Sequence, residues 1–155
     1  MTYAKKTSVS VARSKAEVDQ LLRRYGASDR MSAESETQGL AFVAFALGGR
    51  NVKVVLPLPK VEEFSTRQFR GRVVEASEEW QAKSWEQACR ERWRALILVL
   101  KAKLELIEIG ASTVDREFLY DLMLPNGRTV GDELAGQLDG MQQVPLLPVG
   151  GASSG

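Results

Sequence analysis

"SWEQACRERWRALILVLKAKLELIEIGAS", residues 84–112, decides the fold. It is too apolar in the middle for an ordinary surface helix and too charged for a membrane span. Ser84 and Gln87 have the spacing of a capping box, and Gly110 stands where a helix ends in a left-handed turn. Trp85, Cys89, Trp93, Leu96, Leu100, Leu104 and Ile107 step by three and four, which makes one apolar stripe. Ala88, Ala95, Val99, Ala102, Leu106 and Ile109 make a second stripe beside it. Glu86, Arg90, Arg94, Lys101, Glu105 and Glu108 form a wet face, interrupted by Ile97. Two stripes predict a helix covered over most of its circumference near Ala95–Leu100, by a sheet on one side and later helices on the other.

The sheet is read upstream. Leu40–Leu47, "LAFVAFAL", is apolar on both faces and of strand length, so it belongs in the centre of a sheet. "GGR" then turns the chain, and "NVKVVLPLP" returns as a hairpin partner until Pro57 and Pro59 stop the ladder. Met31–Gln38 is a weaker, half-exposed strand. Thr7–Val11, "TSVSV", alternates and reads as a further strand with Val9 and Val11 inward. Ser14 and Glu17 then form a capping box for a helix bearing Val18, Leu21, Leu22 and Tyr25, closed by Gly26.

Downstream, Ser112 or Thr113 caps a short helix with Asp115 and Glu117 in its first turn, where negative charge suits the helix dipole. Phe118, Leu119, Leu122 and Met123 give it an apolar side. "PNG" at 125–127 is a turn, Thr129 caps a last helix "VGDELAGQL", and "PLLPVGGASSG" reads as a disordered tail. Lys60–Lys83 is polar and lacks a clear period, so it is a long loop, mobile or functional. Within it "FRGRVV" admits a small extra hairpin. The expected fold is therefore α+β, in the order β-α-β-β-β-α-α-α. One antiparallel four-stranded sheet packs on one long central helix with two short C-terminal helices. It forms a single domain over residues 1–140, with 141–155 as the tail. The apolar outer face of the sheet calls for a cover, and a homodimer partner is a candidate.

Composition narrows the chemistry. Of 155 residues, 21 are basic and 20 acidic, a net charge of +1, so any basic surface must come from local clustering. One cysteine, Cys89, excludes an internal disulfide and fits a reducing compartment. The absence of histidine excludes His-based triads, Cys–His pairs and His-containing zinc sites. The start "MTYAKKTSVSVARS" lacks the apolar core of a signal peptide. The longest apolar run, Ala95–Leu100, is far below the roughly 20 residues a spanning helix needs. A cytoplasmic protein without membrane association or cofactor is expected, and recognition is favoured over turnover.

Two clusters stand out. "STRQFRGR", residues 65–72, sets Arg67, Arg70 and Arg72 beside Phe64 and Phe69. Guanidinium forks suit phosphates and aromatic rings stack on bases; the plainer reading is a solvated loop with two phenylalanines pinned to the core. Lys5 and Lys6, with Arg13, Lys15, Arg23 and Arg24, would extend a basic strip if they flank the first strand. Trp80, Trp85 and Trp93, with Arg90 and Arg94, are either core anchors with local ion pairs or a patch for a partner protein. Carboxylate pairs such as Glu34/Glu36 carry no spacing that converges on a metal, and no metal ligands are assigned. Cys89 lies on the buried stripe as inert core.

Four blocks, "YAKKTSVSVARSKAEVDQLLRRYGA" (3–27), "GRNVKVVLPLP" (49–59), "WEQACRERWRALILVLKAKLELIEIG" (85–110) and "EFLYDLMLPNGRTVGDEL" (117–134), occur in one order. Together they resemble a family of small, poorly characterised proteins encoded by tailed bacteriophages and prophages. The resemblance implies expression in the cytoplasm of a bacterial host cell and an accessory role in DNA replication, recombination or anti-defence. No catalytic or binding residues come with it. The first expectation is a non-enzymatic accessory protein that binds nucleic acid, single-stranded, across the sheet and the Arg67/Arg70/Arg72 loop, or binds nucleic-acid-processing machinery. The alternatives are an inhibitor of a host defence complex or a sponge for a nucleotide signal, and thirdly a metal-dependent nuclease.

Overall fold

The computed structural model describes residues 2–147 and 150, with side chains from Val11 onward. The chain is α+β, with antiparallel sheets. It opens with a helix, α1 (Thr2–Arg24), followed by the strands β1 (Ser28–Ser35), β2 (Leu40–Leu47) and β3 (Arg50–Pro57). A 3₁₀ turn at Val61–Phe64 leads into a small hairpin, β4 (Thr66–Phe69) and β5 (Arg72–Glu75). The long helix α2 (Glu78–Glu108), the short α3 (Val114–Phe118) and α4 (Val130–Asp139) complete the order.

The expected strand at Thr7–Val11 is instead part of α1. "TSVSV" alternates, but Val11 also lies two helical turns before Val18 and so continues the stripe of Val18, Leu21 and Leu22. No glycine or proline interrupts residues 2–24, and extending an existing helix costs far less than nucleating one. Ser14 therefore sits inside the helix and caps nothing. The main sheet in consequence has three strands, ordered β1-β2-β3, and β4-β5 form a separate two-stranded sheet. This replaces the four-stranded sheet expected from the sequence.

β2 is the central strand, as its apolar composition requires, and buries Ala41, Val43 and Phe45 on one face. Leu47 pairs with Arg50 around Gly48 and Gly49, whose φ values of 59° and 76° are those of a two-residue hairpin turn matched to strand twist. Leu122 bridges to Val52, and Met123 N–H donates to the Asn51 carbonyl at 2.8 Å, so the chain after α3 continues the sheet edge.

The core lies between this sheet face and α1 and α2, with Trp93, Leu100, Leu104 and Phe118 fully buried. Phe118 meets Phe45 edge to face, centroids 5.5 Å apart. α2 starts earlier than expected. Ser77 is its cap and accepts from Trp80 N–H, Glu78 and Glu79 occupy the first turn, and Ser84 lies inside the helix. Its end is as read: Gly110 has φ 77°.

The burial of α2 differs from the expectation. Only one stripe is covered: Glu86, Cys89, Trp93, Leu96, Leu100 and Leu104. Ala95, Leu98, Val99, Ala102, Leu106 and Ile109 face solvent. α3 and the Leu119–Asp121 turn pack against β3 and α4 packs on that turn, so the later helices leave that side of α2 uncovered. Thr113 caps α3, and Thr129 with Asp132 forms a capping box on α4. Arg50 grips Asp115 through two bonds, at 2.8 and 3.0 Å, tying the β2–β3 turn to α3. Among the described residues no helix is long and apolar enough to cross a membrane. Of the tail expected over 141–155, residues 141–147 and 150 are described and belong to no helix or strand, and the others lie outside the described residues.

Candidate nucleic-acid interface

Residues 60–83, read from the sequence as one long loop, hold the 3₁₀ turn, the β4–β5 hairpin and the first turns of α2. Phe69 pairs with Arg72 around Arg70 and Gly71, both at positive φ, 50° and 75°. That geometry is the one a two-residue hairpin demands. Asparagine or glycine is usual at its first position; arginine there costs about 1 kcal/mol. Ala76 N–H closes the base of the hairpin on the Ser65 carbonyl at 2.8 Å, and buried Ala76 pins it against the domain. Ser77 then caps α2 with no linker between. The hairpin is held at its foot and open at its tip.

Opposed residues in an antiparallel pair share a face, so Arg67, Phe69, Arg72 and Val74 lie on one side of this ribbon. The Arg67 guanidinium sits 5.6 Å from the Trp80 ring and 5.4 Å from the Phe69 ring. The Arg70 guanidinium lies 5.3 Å from the Phe69 ring. Trp80, Arg67, Phe69 and Arg70 thus form a ladder in which ring and cation alternate from the start of α2 to the hairpin tip. Cation–π attraction holds the guanidinium planes beside the rings. Phe69 is 48% exposed, and none of Arg67, Arg70 and Arg72 forms an ion pair among the described residues. The guanidinium charges are left for a ligand, and the Phe69 ring between them is half exposed.

Other expected site residues fall elsewhere. Phe64 is half-buried at the end of the 3₁₀ turn, outside the ladder. Lys5 and Lys6 belong to α1, where no strand exists for a basic strip to follow, and their side chains lie outside the described residues. The three tryptophans do not make one patch. Trp93 is 1% exposed in the core, Trp85 donates its indole N–H to the Pro59 carbonyl at 2.8 Å, and Trp80 belongs to the ladder. Arg90 is engaged by Glu86 at 3.4 Å and by Gln87 at 2.6 Å, whereas Arg94 is exposed.

The acidic groups serve the frame. Glu34 pairs with Lys15 at 3.7 Å. The bond from Arg50 holds the Asp115 carboxyl below its ordinary range, and the Thr129 amide does the same for Asp132. Burial pushes Asp121 the other way. Among the described residues no three Asp, Glu or Cys side chains are grouped to hold a metal ion. Burial pushes the Cys89 thiol up to about 11, so it is protonated and unreactive at neutral pH.

A cleft of about 960 Å³ was not foreseen. It opens between α1, the β1–β2 turn, the 58–62 segment and α2, lined by Lys15, Glu34, Glu36, Glu62, Trp85 and Trp93. The Trp93 indole N–H is buried and without a hydrogen-bond partner among the described residues. Four separate elements assemble this cleft, so no local pattern could announce it. Comparison with known proteins gives no match to any family model, curated protein or solved structure.

Proposed function

We propose that this chain is a non-enzymatic accessory protein, of the bacteriophage type its four sequence blocks resemble, that binds single-stranded nucleic acid through the β4–β5 hairpin. One observation carries the reading. The ladder of Trp80, Arg67, Phe69 and Arg70 presents an exposed ring flanked by unpaired guanidinium groups, with Arg72 beside it. Ring faces accept any base, and the arginines meet the phosphates that follow each base along the strand. A duplex keeps its bases stacked inside and offers Phe69 nothing to stack on, so single strands are favoured.

Binding is tested by fluorescence anisotropy of a labelled single-stranded oligonucleotide at low salt. Three arginines meeting phosphates give a slope of log K against log salt of roughly −2, at about −0.7 per contact on a single strand. A shift that shrinks with salt along that slope is expected. No shift at low salt overturns the reading.

A second reading, contact with a host defence protein, rests on the outer face of the main sheet, where Met31 and Val55 are exposed near Phe42. One stoichiometric host protein retained from lysate after nuclease treatment would favour it. The cleft carries both signs, Lys15 and Lys60 against Glu34, Glu36 and Glu62, with Lys15 engaged by Glu34, so its wall offers a nucleotide phosphate no net attraction.

A further inference from the structure

We propose that the cleft between α1, the β1–β2 turn, the 58–62 segment and α2 is a binding site for a small uncharged molecule carrying a planar ring and a carbonyl oxygen. Its volume of about 960 Å³ lies at the upper end of the roughly 300–1,000 Å³ usual for small-molecule sites. The walls are held apart by the fold itself. Leu58 N–H donates to the Gly39 carbonyl at 2.9 Å, tying the β1–β2 turn to the 58–62 segment. α2 packs on α1 and on the 3₁₀ turn, so the opposite wall is fixed as well. A cleft built in this way needs little ordering when a ligand enters.

The lining sets the class of ligand. Val11, Ala12, Leu58, Pro59, Val61 and Ala82 make the sides mostly apolar, and two indoles complete them. Trp85 spends its N–H on the Pro59 carbonyl at 2.8 Å, which leaves ring carbon as the surface it offers. A flat ring suits that surface. Trp93 lies on the floor, 1% exposed. Its indole N–H is the one buried side-chain N or O atom without a hydrogen-bond partner among the described residues. A buried donor left in that state carries the cost of its lost water, and an acceptor brought by a ligand removes that cost. A carbonyl oxygen pressed to the floor takes the bond after a small turn of the Trp93 ring. An ammonium group could not, because both partners would be donors.

Charge excludes ions. The ionisable side chains along the cleft are of both signs, and Lys15 is engaged by Glu34 at 3.7 Å. Glu36, Lys60 and Glu62 are exposed, where water and salt screen them. A charged ligand seated between Trp85 and Trp93 would give up its own water and gain no buried counter-charge. An uncharged one gives up far less.

The inference is independent of the hairpin reading. It is tested on the full chain with three compounds that share one ring frame: 1-indanone, with a carbonyl; indane, without one; and indane-1-carboxylate, an anion. Each is titrated into isotope-labelled protein while the indole N–H resonances of Trp80, Trp85 and Trp93 are followed by NMR. 1-Indanone should saturate with millimolar affinity or tighter. It should move the Trp93 resonance downfield, as a new hydrogen bond does, and leave Trp80 in place. Indane and the carboxylate should each bind roughly tenfold more weakly. Trp93→Phe should bring 1-indanone down to the affinity of indane. Ala82→Leu, which fills the cleft from one side, should weaken all three compounds. A natural chain whose Trp93 resonance shows no saturable shift overturns the site, whatever the variants do. So does a shift that Ala82→Leu leaves unchanged. Equal affinity for 1-indanone and indane, or a preference for the carboxylate, overturns the ligand class. A folded Trp93→Phe chain that still prefers 1-indanone overturns the role of the N–H.

Discussion

The protein contains two hairpins built on the same local rule and put to opposite uses. Both β2–β3 and β4–β5 turn through two residues at positive φ, Gly48–Gly49 in one and Arg70–Gly71 in the other. The first has eight residues in each strand, and its inner face supplies Ala41, Val43, Phe45 and Val52 to the core. The second has four residues in each strand and no fully buried one. The turn decides only that a hairpin forms. What the hairpin is for depends on which side chains it holds out and whether another layer covers them. β2–β3 is scaffold, and β4–β5 is display.

The contrast is sharpest at two phenylalanines. Phe45 is 2% exposed and stacked edge-on against Phe118. Phe45→Ala removes a ring from a packed interior and is expected to cost about 3–5 kcal/mol. In thermal unfolding that is a fall on the order of 10 °C for a chain of this size. If the loss is below about 1 kcal/mol, the main sheet is not the scaffold described.

Phe69→Ala should do the reverse. Its stability effect should stay within about 0.5 kcal/mol, as for surface positions generally. Affinity for a single-stranded oligonucleotide should fall by about 1–3 kcal/mol, the worth of one stacked base. Equal loss of stability and binding would mean that the hairpin is structural, and the comparison would fail at its second term.

The same contrast explains what was legible in the sequence. β2, its glycine turn and β3 are written in local pattern: an apolar run, two glycines, a returning run and prolines. The caps at Thr113 and Thr129 are equally local, since each involves a side chain and an amide three residues on. α1 was misread because a five-residue alternation satisfies a strand and also fits a helix face, and only the neighbouring turns decide between them. The second stripe of α2 was misassigned for a different reason. Periodicity tells that a face is apolar, not that anything in the same chain is available to cover it. Of the candidate site, the Arg–Phe cluster and its small hairpin were visible. Trp80 joining the cluster was not, because Ser77 rather than Ser84 starts the helix and so brings Trp80 under Arg67. The cleft, assembled from four elements, was beyond any local reading.

The smallest effect expected is at the hairpin tip. Arg70 holds φ 50°, a conformation an arginine adopts at some cost and an asparagine adopts readily. Arg70→Asn should leave the turn intact and raise stability by a few tenths of a kcal/mol, up to about 1 kcal/mol, in urea unfolding. It should at the same time remove one phosphate contact, making the salt slope of oligonucleotide binding shallower by about 0.7. A turn kept at an unfavourable residue is explained if that residue's guanidinium serves the ladder beside Phe69. If Arg70→Asn gains stability and the salt slope does not change, the arginine is not facing phosphate. The tip of β4–β5 would then be as much a plain turn as Gly48–Gly49.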